Sequence, residues 1–208
     1  MDQTTTFQRG LRPGDAAPAF RARTTHGERA LEGYRGRWLI FFSHPADFTP
    51  VCTTEFISLA RAADRFAKLD CELLGLSVDS LFSHLAWLLS IEETSGTTVP
   101  FPIVEDPSMA IAQAYGMTAP GDTDSASVRA TYFIDPKGII RALTWYPMTN
   151  GRSVEEMLRL LAALQATDKE GGLTPEGWRP GEALISPAPV TLEAARQLAQ
   201  SARSGGGR

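Results

Sequence analysis

The sequence predicts an α/β fold, with a central mixed β-sheet flanked by helices and a C-terminal extension. Apolar runs of strand length, Trp38–Phe42 and Glu72–Val78, alternate with longer segments whose apolar residues have helical spacing. After residue 128 the order changes to two strands joined by a short turn, followed by one helix. From Gly171 onward, proline and glycine interrupt the chain, and too few apolar residues remain for an independent core.

The first elements are a hairpin, a buried strand and a long helix. Residues 1–36 are rich in glycine and proline, and we expect a hairpin near His26-Gly27. The apolar run Trp38–Phe42 suits a strand that is buried on both faces. The next helix is expected from Cys52 to about Leu69, because its apolar residues recur at intervals of three and four. They are Phe56, Leu59, Ala60, Ala63, Phe66 and Ala67.

Two further strand–helix pairs follow. Glu72–Val78 is a second buried strand, and Ser80 is placed to cap the helix after it. The apolar side of that helix is expected to be Leu81, Phe82, Leu85, Leu88 and Leu89. Phe101–Val104 is expected at a sheet edge, because Pro102 cannot donate to a β-ladder. Residues 107–115 suit a short helix that begins at a proline.

The remaining elements complete a thioredoxin-like plan. A polar loop at 118–127 precedes a hairpin of strands 129–134 and 139–145. A helix is expected at 153–164, with Ser153 and Glu156 as its capping box. We therefore expect a thioredoxin-like domain at 1–168, a C-terminal arm at 169–203 and a disordered tail at 204–208.

Composition excludes several function classes. The 208 residues carry 20 basic and 24 acidic side chains, and no run rich in lysine or arginine supports nucleic-acid binding. No segment approaches the roughly 18 consecutive apolar residues of a membrane span, and the polar start resembles no secretory signal. Two cysteines are too few for a disulfide scaffold, so we expect a cytoplasmic protein. No cluster of ligand residues suggests a metal, haem or flavin cofactor.

Cys52 is the strongest candidate for a functional residue. It follows a buried strand and lies in the first turn of a helix, where unpaired N–H groups and the helix dipole favour a thiolate. The hydroxyl of Thr49 can point into the same turn, and Pro45, which has no N–H, can form a dry wall. His44 at the strand end can bond the cysteine or a substrate. Such a pocket suits a small substrate of the form R–O–O–H.

These residues resemble a known family. Pro45-xxx-Thr49-xx-Cys52 is similar to the active-site signature of the peroxiredoxins, and the longer string from Phe42 to Glu55 resembles their 1-Cys subfamily. Arg129 matches the active-site arginine of the family, and Arg152 lies in a stretch that matches its second arginine. Residues 178–182 resemble the C-terminal arm of the same subfamily, so the resemblance covers roughly residues 10 to 195.

The resemblance implies a thiol-dependent peroxidase. Cys52 would attack the peroxide and become a sulfenic acid, and an external thiol, either small or of the thioredoxin or glutaredoxin type, would restore it. Arg129 would hold the thiolate, while Glu55 would orient Arg129 or Arg152. The family also implies a homodimer, or a higher oligomer, in which the arm reaches the partner subunit. The arm residues Leu173, Trp178, Leu184 and Ile185 show no periodicity and would need a cover, either from the partner subunit or, as the alternative, from the chain's own domain.

Each candidate residue also has a structural interpretation. Cys52 can be an inert buried thiol, Arg129 and Glu55 can be solvated charges, and His44 can be structural. His26 and His84 are interpreted as surface residues. Cys71 lies beyond the far end of the Cys52 helix, more than about 20 Å away, whereas a disulfide needs Cα atoms within about 7 Å. We therefore expect Cys71 to be a structural thiol.

Three other functions are alternatives to a thiol-dependent peroxidase. A disulfide oxidoreductase normally needs Cys-x-x-Cys, and Glu55 stands where its second cysteine would be. The phospholipase activity of some 1-Cys peroxiredoxins needs a serine where this chain has Arg37. A redox-regulated chaperone or peroxide-signalling protein stays open as the alternative function.

Overall fold

The computed structural model describes residues 10–118 and 127–205, the last five as backbone only. Its elements in chain order are β1 Arg21–Thr24, β2 Gly27–Ala30, β3 Trp38–Ser43, α1 Pro50–Ala67, β4 Cys71–Ser77, α2 Leu81–Ser95, β5 Ile103–Glu105, α3 Ala110–Ala114, β6 Arg129–Ile134, β7 Ile140–Tyr146, α4 Val154–Glu170 and α5 Leu192–Gly205. Most of the polar loop expected at 118–127 lies outside the described residues. The chain divides into two compact units, Met1–Leu158 and Arg159–Arg208.

The sheet of the first unit has seven strands in the order β2-β1-β5-β4-β3-β6-β7. Strand β4 pairs in parallel with both β3 and β5. The other strand pairs are antiparallel. The predicted mixed sheet with flanking helices and a C-terminal extension is confirmed. The predicted hairpins are confirmed as well, as β1–β2 and β6–β7.

Strand β3 runs through the centre of the core. All six of its residues are buried, so a nearly continuous apolar run is needed rather than an alternating one. Phe41 packs against Tyr115 on the side of α3, with ring centroids 4.8 Å apart. Phe42 points to the opposite face and packs against Phe56 of α1 at 5.6 Å. The carboxyl end of β3 and the first turns of α1 are therefore fixed by the same aromatic contact.

The position predicted for β5 is wrong. It lies between β1 and β4 rather than at an edge of the sheet. The proline that suggested an edge, Pro102, directly precedes the strand and needs no ladder hydrogen bond of its own. Its carbonyl instead accepts from the N–H of Gly75 at 3.0 Å.

The buried side predicted for α2 is also wrong, although the Ser80 cap is confirmed by its bond to the N–H of Ser83. Phe82 and Leu89 are 74% and 66% exposed. The buried residues of this helix are His84, Trp87 and Ile91, which share one face. His84 is fully buried and not a surface residue. Its polar ring atoms have partners inside the fold, which the count of apolar residues along a helix cannot reveal.

The second unit contains most of α4, an extended segment and α5. A single bridge pairs Leu173 with Ile185, and Trp178 is buried, with its indole N–H donating to the carbonyl of Glu182 at 3.0 Å. Trp178 is therefore covered within its own chain, whereas Leu173 and Ile185 are exposed. Helix α5 extends to Gly205, into the segment expected to be disordered, and 206–208 lie outside the described residues. Within the described ranges, we find no helix with the length and apolar character of a membrane span.

The corrected face of α2 can be tested with substitutions at two nearby positions of the helix. Ile91→Ala removes a side chain that is 1% exposed and should lower the free energy of unfolding by about 2–5 kcal/mol. Leu89→Ala is the matched control and should change it by no more than about 0.5 kcal/mol. Chemical denaturation of both variants measures the difference. A larger loss for Leu89→Ala would restore the face predicted from the sequence.

Candidate active site

The β3–α1 loop, residues 44–49, places Cys52 at the carboxyl end of the parallel strands. Thr49 is the N-cap of α1, Pro50 is its first residue, and Cys52 is the third. Cys52 is fully buried, and the helix start supplies N–H groups without intrahelical partners. Within the loop, Phe48 has a φ of +58°, a left-handed conformation that is strained for an aromatic residue. Its neighbours must therefore hold the loop in place.

Arg129 lies beside the sulfur, as predicted. Its Nη1 is 3.4 Å from the Sγ of Cys52 and donates to Oε2 of Glu55 at 2.8 Å. Its Nε and Nη2 both donate to the carbonyl of Met148, at 3.0 and 2.8 Å. The side chain of Arg129 is only 3% exposed, so a desolvated positive charge faces the thiol.

Glu55 joins both predicted arginines. Its Oε1 accepts from the backbone N–H and the Nε of Arg152, at 2.7 and 2.9 Å. Its Oε2 accepts from Nη2 of Arg152 and Nη1 of Arg129, each at 2.8 Å. Burial alone would raise the pKa of Glu55, but the hydrogen bonds and charge of Arg152, with the charge of Arg129, hold that pKa below its ordinary value. The carboxylate is thus the shared anion of two buried cations.

The hydroxyl of Thr49 is oriented differently from the sequence prediction. It makes no cap hydrogen bond to the first turn and donates to the carbonyl of Ala46 at 2.9 Å. Since its single proton is committed there, it cannot also donate to the Cys52 thiolate. Its oxygen lone pairs can still accept a hydrogen bond from the O–H of a bound peroxide.

His44 and Pro45 are both buried at the end of β3. The Nε2 of His44 is 2.9 Å from Oδ1 of Asp47, and its Nδ1 has no hydrogen-bond partner among the described residues. Burial lowers the pKa of His44, and the hydrogen bond to Asp47 only partly offsets this. The ring is therefore neutral, with its proton on Nε2 and an open acceptor on Nδ1.

The sequence does not predict a role for Asp47 or His84. Asp47 lies between Pro45 and Thr49 of the Cys52 motif and bonds His44. His84 is its second partner, with Nδ1 2.8 Å from Oδ2 of Asp47. The spacing of His84 from Trp87 and Ile91, three and seven residues, was the available signal that it faces inward.

Cys71 occupies a different environment. It opens β4, pairs in register with Trp38, and is buried. Burial raises the pKa of its thiol well above the ordinary range. Both cysteines of the chain are free thiols in the structure. Cys71 thus has the features of an inert core thiol.

His44, Asp47 and His84 form the one group of potential metal ligands found among the described residues. Their nitrogen–oxygen separations of 2.9 and 2.8 Å are hydrogen-bond lengths. Ligand atoms around a tetrahedral zinc, each about 2.1 Å from the ion, would lie about 3.4 Å apart. The group therefore fits a hydrogen-bond network better than a metal site.

Glu55→Gln should disrupt the arginine pair. The neutral amide leaves two buried guanidinium groups without their anion, so we expect a loss of about 3–5 kcal/mol in the free energy of unfolding. Glu28→Gln is the matched control, since its partner Arg21 is exposed, and should have no measurable effect. Equal stability of the two variants would contradict the role given to Glu55.

The pH dependence of stability in the wild type and in Glu55→Gln tests the charge of Glu55. A carboxylate with a lowered folded-state pKa stabilises the fold above its unfolded-state pKa, and that contribution is lost as pH falls through the folded value. The stability gap between wild type and Glu55→Gln should therefore narrow in acid below the ordinary glutamate range. A gap that is constant with pH would mean that the charge is not what stabilises the site.

Comparison with family models gives two matches. Residues 13–143 match the AhpC/TSA family, and residues 163–202 match the C-terminal domain of 1-Cys peroxiredoxin. The first range contains Cys52, Arg129 and the whole β3–α1 loop.

Curated relatives and solved structures agree with these matches. The chain is 46% identical over 193 residues to a peroxiredoxin of Aquifex aeolicus, covering 88% of this chain and 87% of that protein. It is 44% identical over 191 residues to a peroxiredoxin of Methanosarcina mazei, covering 88% and 87%.

A structure of yeast mitochondrial 1-Cys peroxiredoxin aligns with a TM-score of 0.82 and 40% identity, covering 90% of this chain and 92% of the other. A cysteine-to-serine mutant of peroxiredoxin 6 from Arenicola marina aligns with a TM-score of 0.81 and 32% identity, covering 91% and 89%. With Cys52, Arg129 and Glu55 assembled at the end of β3, the chain belongs to the AhpC/TSA family and is a peroxiredoxin, a thiol-dependent peroxidase.

Proposed function

We propose that the chain reduces hydrogen peroxide and organic hydroperoxides by a 1-Cys mechanism. The observation that carries this proposal is the contrast between the two thiols. Cys52 lies at a helix start with Nη1 of Arg129 3.4 Å from its sulfur. Cys71 is buried in β4 with a raised pKa. Cys52 lies in the first turn of α1 and Cys71 lies beyond the far end of the same helix, which supports a mechanism that uses one cysteine.

In the oxidation step, the thiolate of Cys52 attacks the terminal oxygen of R–O–O–H. An S–O bond forms, the O–O bond breaks, and the departing oxygen takes a proton to leave as water or an alcohol. Arg129 stabilises the charge on sulfur and then on the departing oxygen. The lone pairs of Thr49 Oγ1 and the open Nδ1 of His44 are acceptors for the peroxide O–H.

In the reduction step, an external thiol attacks the sulfenic acid and releases water, which leaves a mixed disulfide on Cys52. A second thiol then displaces Cys52 and returns it to the thiolate. We propose a small thiol or a protein of the thioredoxin or glutaredoxin type as the donor. The yeast mitochondrial relative supports this choice, because its resolving mechanism is described as acting via glutathione/thioredoxin systems.

We also propose a homodimer, or a higher oligomer built from it, and a cytoplasmic setting. The support for association is an exposed apolar set in the second unit, made of Leu173, Ile185, Val190, Leu192 and Leu198. Contact with a second copy of the chain would remove these exposed apolar side chains of the 50-residue second unit from water. The cytoplasmic setting is supported by two cysteines that are both free.

The 1-Cys mechanism is tested by replacing each cysteine. Cys52→Ser should abolish peroxide reduction, because an alcohol supplies almost no nucleophilic anion at neutral pH. Cys71→Ser should keep nearly full turnover with a small-thiol donor in a steady-state assay. If Cys71→Ser oxidises once but does not turn over, Cys71 is a resolving thiol and the 1-Cys proposal fails. Holdase activity that survives in Cys52→Ser would instead support the chaperone alternative.

Thr49→Val tests the acceptor role of the hydroxyl. The swap keeps the β-branched shape and should slow Cys52 oxidation by about 10²–10³-fold, the usual cost of one well-placed polar group in an active site. Stopped-flow oxidation by hydrogen peroxide measures the rate, and Thr49→Ser should restore it. Thr54→Val is the control, since that hydroxyl is exposed and bonds the carbonyl of Val51. A near-wild-type rate for Thr49→Val would exclude the role.

Association through the second unit is tested with charges on α5. Leu192→Glu combined with Leu198→Glu should lower the mass measured by light scattering, because charged groups cannot be buried unpaired in an interface. Gln197→Glu, on the same helix, should keep the mass of the wild type. If all three proteins have the same mass, this surface is not what joins the subunits.

A further inference from the structure

A buried network of three side chains lies beside the thiol site, on the side of α2. Each carboxylate oxygen of Asp47 forms a hydrogen bond with one histidine. Oδ1 is 2.9 Å from Nε2 of His44, and Oδ2 is 2.8 Å from Nδ1 of His84. The side chains of both histidines are fully buried, and that of Asp47 is 2% exposed. The His44 ring is further enclosed by Phe56 and Trp87, with centroids 4.8 and 5.1 Å away. No step of the proposed reaction uses Asp47 or His84.

The hydrogen-bond geometry determines how many protons the His84 ring carries. Its Nδ1 faces the carboxylate of Asp47, and its Nε2 faces the carbonyl of Val104 at 3.3 Å. Both partners are acceptors, so both ring nitrogens must donate, and a ring with two N–H groups is an imidazolium. Burial alone would raise the pKa of Asp47, but hydrogen bonds from His44 and His84 hold it well below its usual range, so the partner is a carboxylate.

We propose that His84 is a positioning residue for peroxide reduction, a buried imidazolium that acts through Asp47 on the β3–α1 loop. The inference rests on the proposed function. One consequence is the tautomer of His44. With the Asp47 carboxylate fixed by His84, the proton of His44 stays on Nε2, and Nδ1 remains an acceptor without a hydrogen-bond partner among the described residues.

A second consequence concerns the strained backbone. Phe48, directly after Asp47, has a φ of +58°, and Thr49 and the start of α1 follow it. Three groups hold Asp47: His44 and His84 through its carboxylate, and Asp79, which accepts from its backbone N–H at 2.9 Å. Loss of His84 would release one of these three anchors. The strained loop would then relax and displace Thr49 relative to the sulfur.

The proton count is tested without any activity measurement. Nitrogen-15 NMR of the imidazole side chains in the whole wild-type chain at neutral pH should show His84 with two protonated nitrogens and His44 with one. A His84→Gln spectrum assigns the signals. A His84 ring with a single proton would overturn the inference, whether or not the enzyme is active.

The positioning role is tested by the rate of Cys52 oxidation. His84→Leu removes both donors and should slow oxidation by about tenfold to a hundredfold, the cost of a small misplacement of reacting groups. His84→Asn keeps an N–H where Nδ1 donates to Asp47 and should restore a large part of the lost rate. His26→Leu, at an exposed histidine, is the control and should match the wild type.

The outcomes separate the two proposals. A wild type that does not reduce peroxide contradicts the proposed function, whatever the NMR shows. An active wild type with His84→Leu oxidising at the same rate overturns the positioning role. If His84→Leu does not fold, the decision falls to Asp47→Asn, which keeps the shape of the side chain but removes the carboxylate that His84 holds. A fall of about tenfold or more in the rate of Cys52 oxidation supports the role, and a smaller change contradicts it.

Discussion

The site depends on one carboxylate that is shared by two buried arginines. Glu55 lies on the same helix as Cys52, one turn further along, and ties α1 to β6 through Arg129 and to the start of α4 through Arg152. Buried ion pairs stabilise a fold only when the remaining donors are also bonded. Here those donors go to the carbonyls of Met148 and Ala130 and to the hydroxyl of Thr131. The positive charge beside the sulfur is therefore fixed in position without an unpaired donor among these contacts.

A second polar network lies on the other side of the helix start and has a different character. It joins His44, Asp47 and His84 around one carboxylate, enclosed by Phe56 and Trp87. The arginine network supplies a cation to the sulfur, whereas the histidine network leaves a neutral acceptor and holds a strained loop. A peroxide needs both kinds of group, because its terminal O–H must be accepted while negative charge develops on the departing oxygen.

Local sequence patterns predict much of this arrangement. The predictions that are wrong depend on contacts that such patterns do not determine. Apolar runs predicted β3 and β4 to within a residue or two, and the motif around Cys52 was brought together with the arginines as the resemblance implied. The errors at His84 and β5 concern partners that the local pattern does not contain. The sequence predicts His84 at the surface because the pattern does not show that Asp47 accepts a hydrogen bond from it. It predicts β5 at an edge because the pattern does not show that β1 pairs with it. The Thr49 hydroxyl bonds the carbonyl of Ala46 rather than the first turn, a choice of rotamer that its residue type leaves open.

The two cysteines show how far environment, rather than residue type, decides function. Both are almost completely buried, and burial by itself disfavours a thiolate. In β4 a backbone hydrogen bond from Ile40 lowers the pKa of Cys71, but burial raises that pKa by more, so the thiol stays protonated. At the start of α1, N–H groups without intrahelical partners and the guanidinium of Arg129 lie near the sulfur of Cys52. That guanidinium is held in place by Glu55 and Met148, so the environment of Cys52 is built by several segments of the chain that no single motif contains.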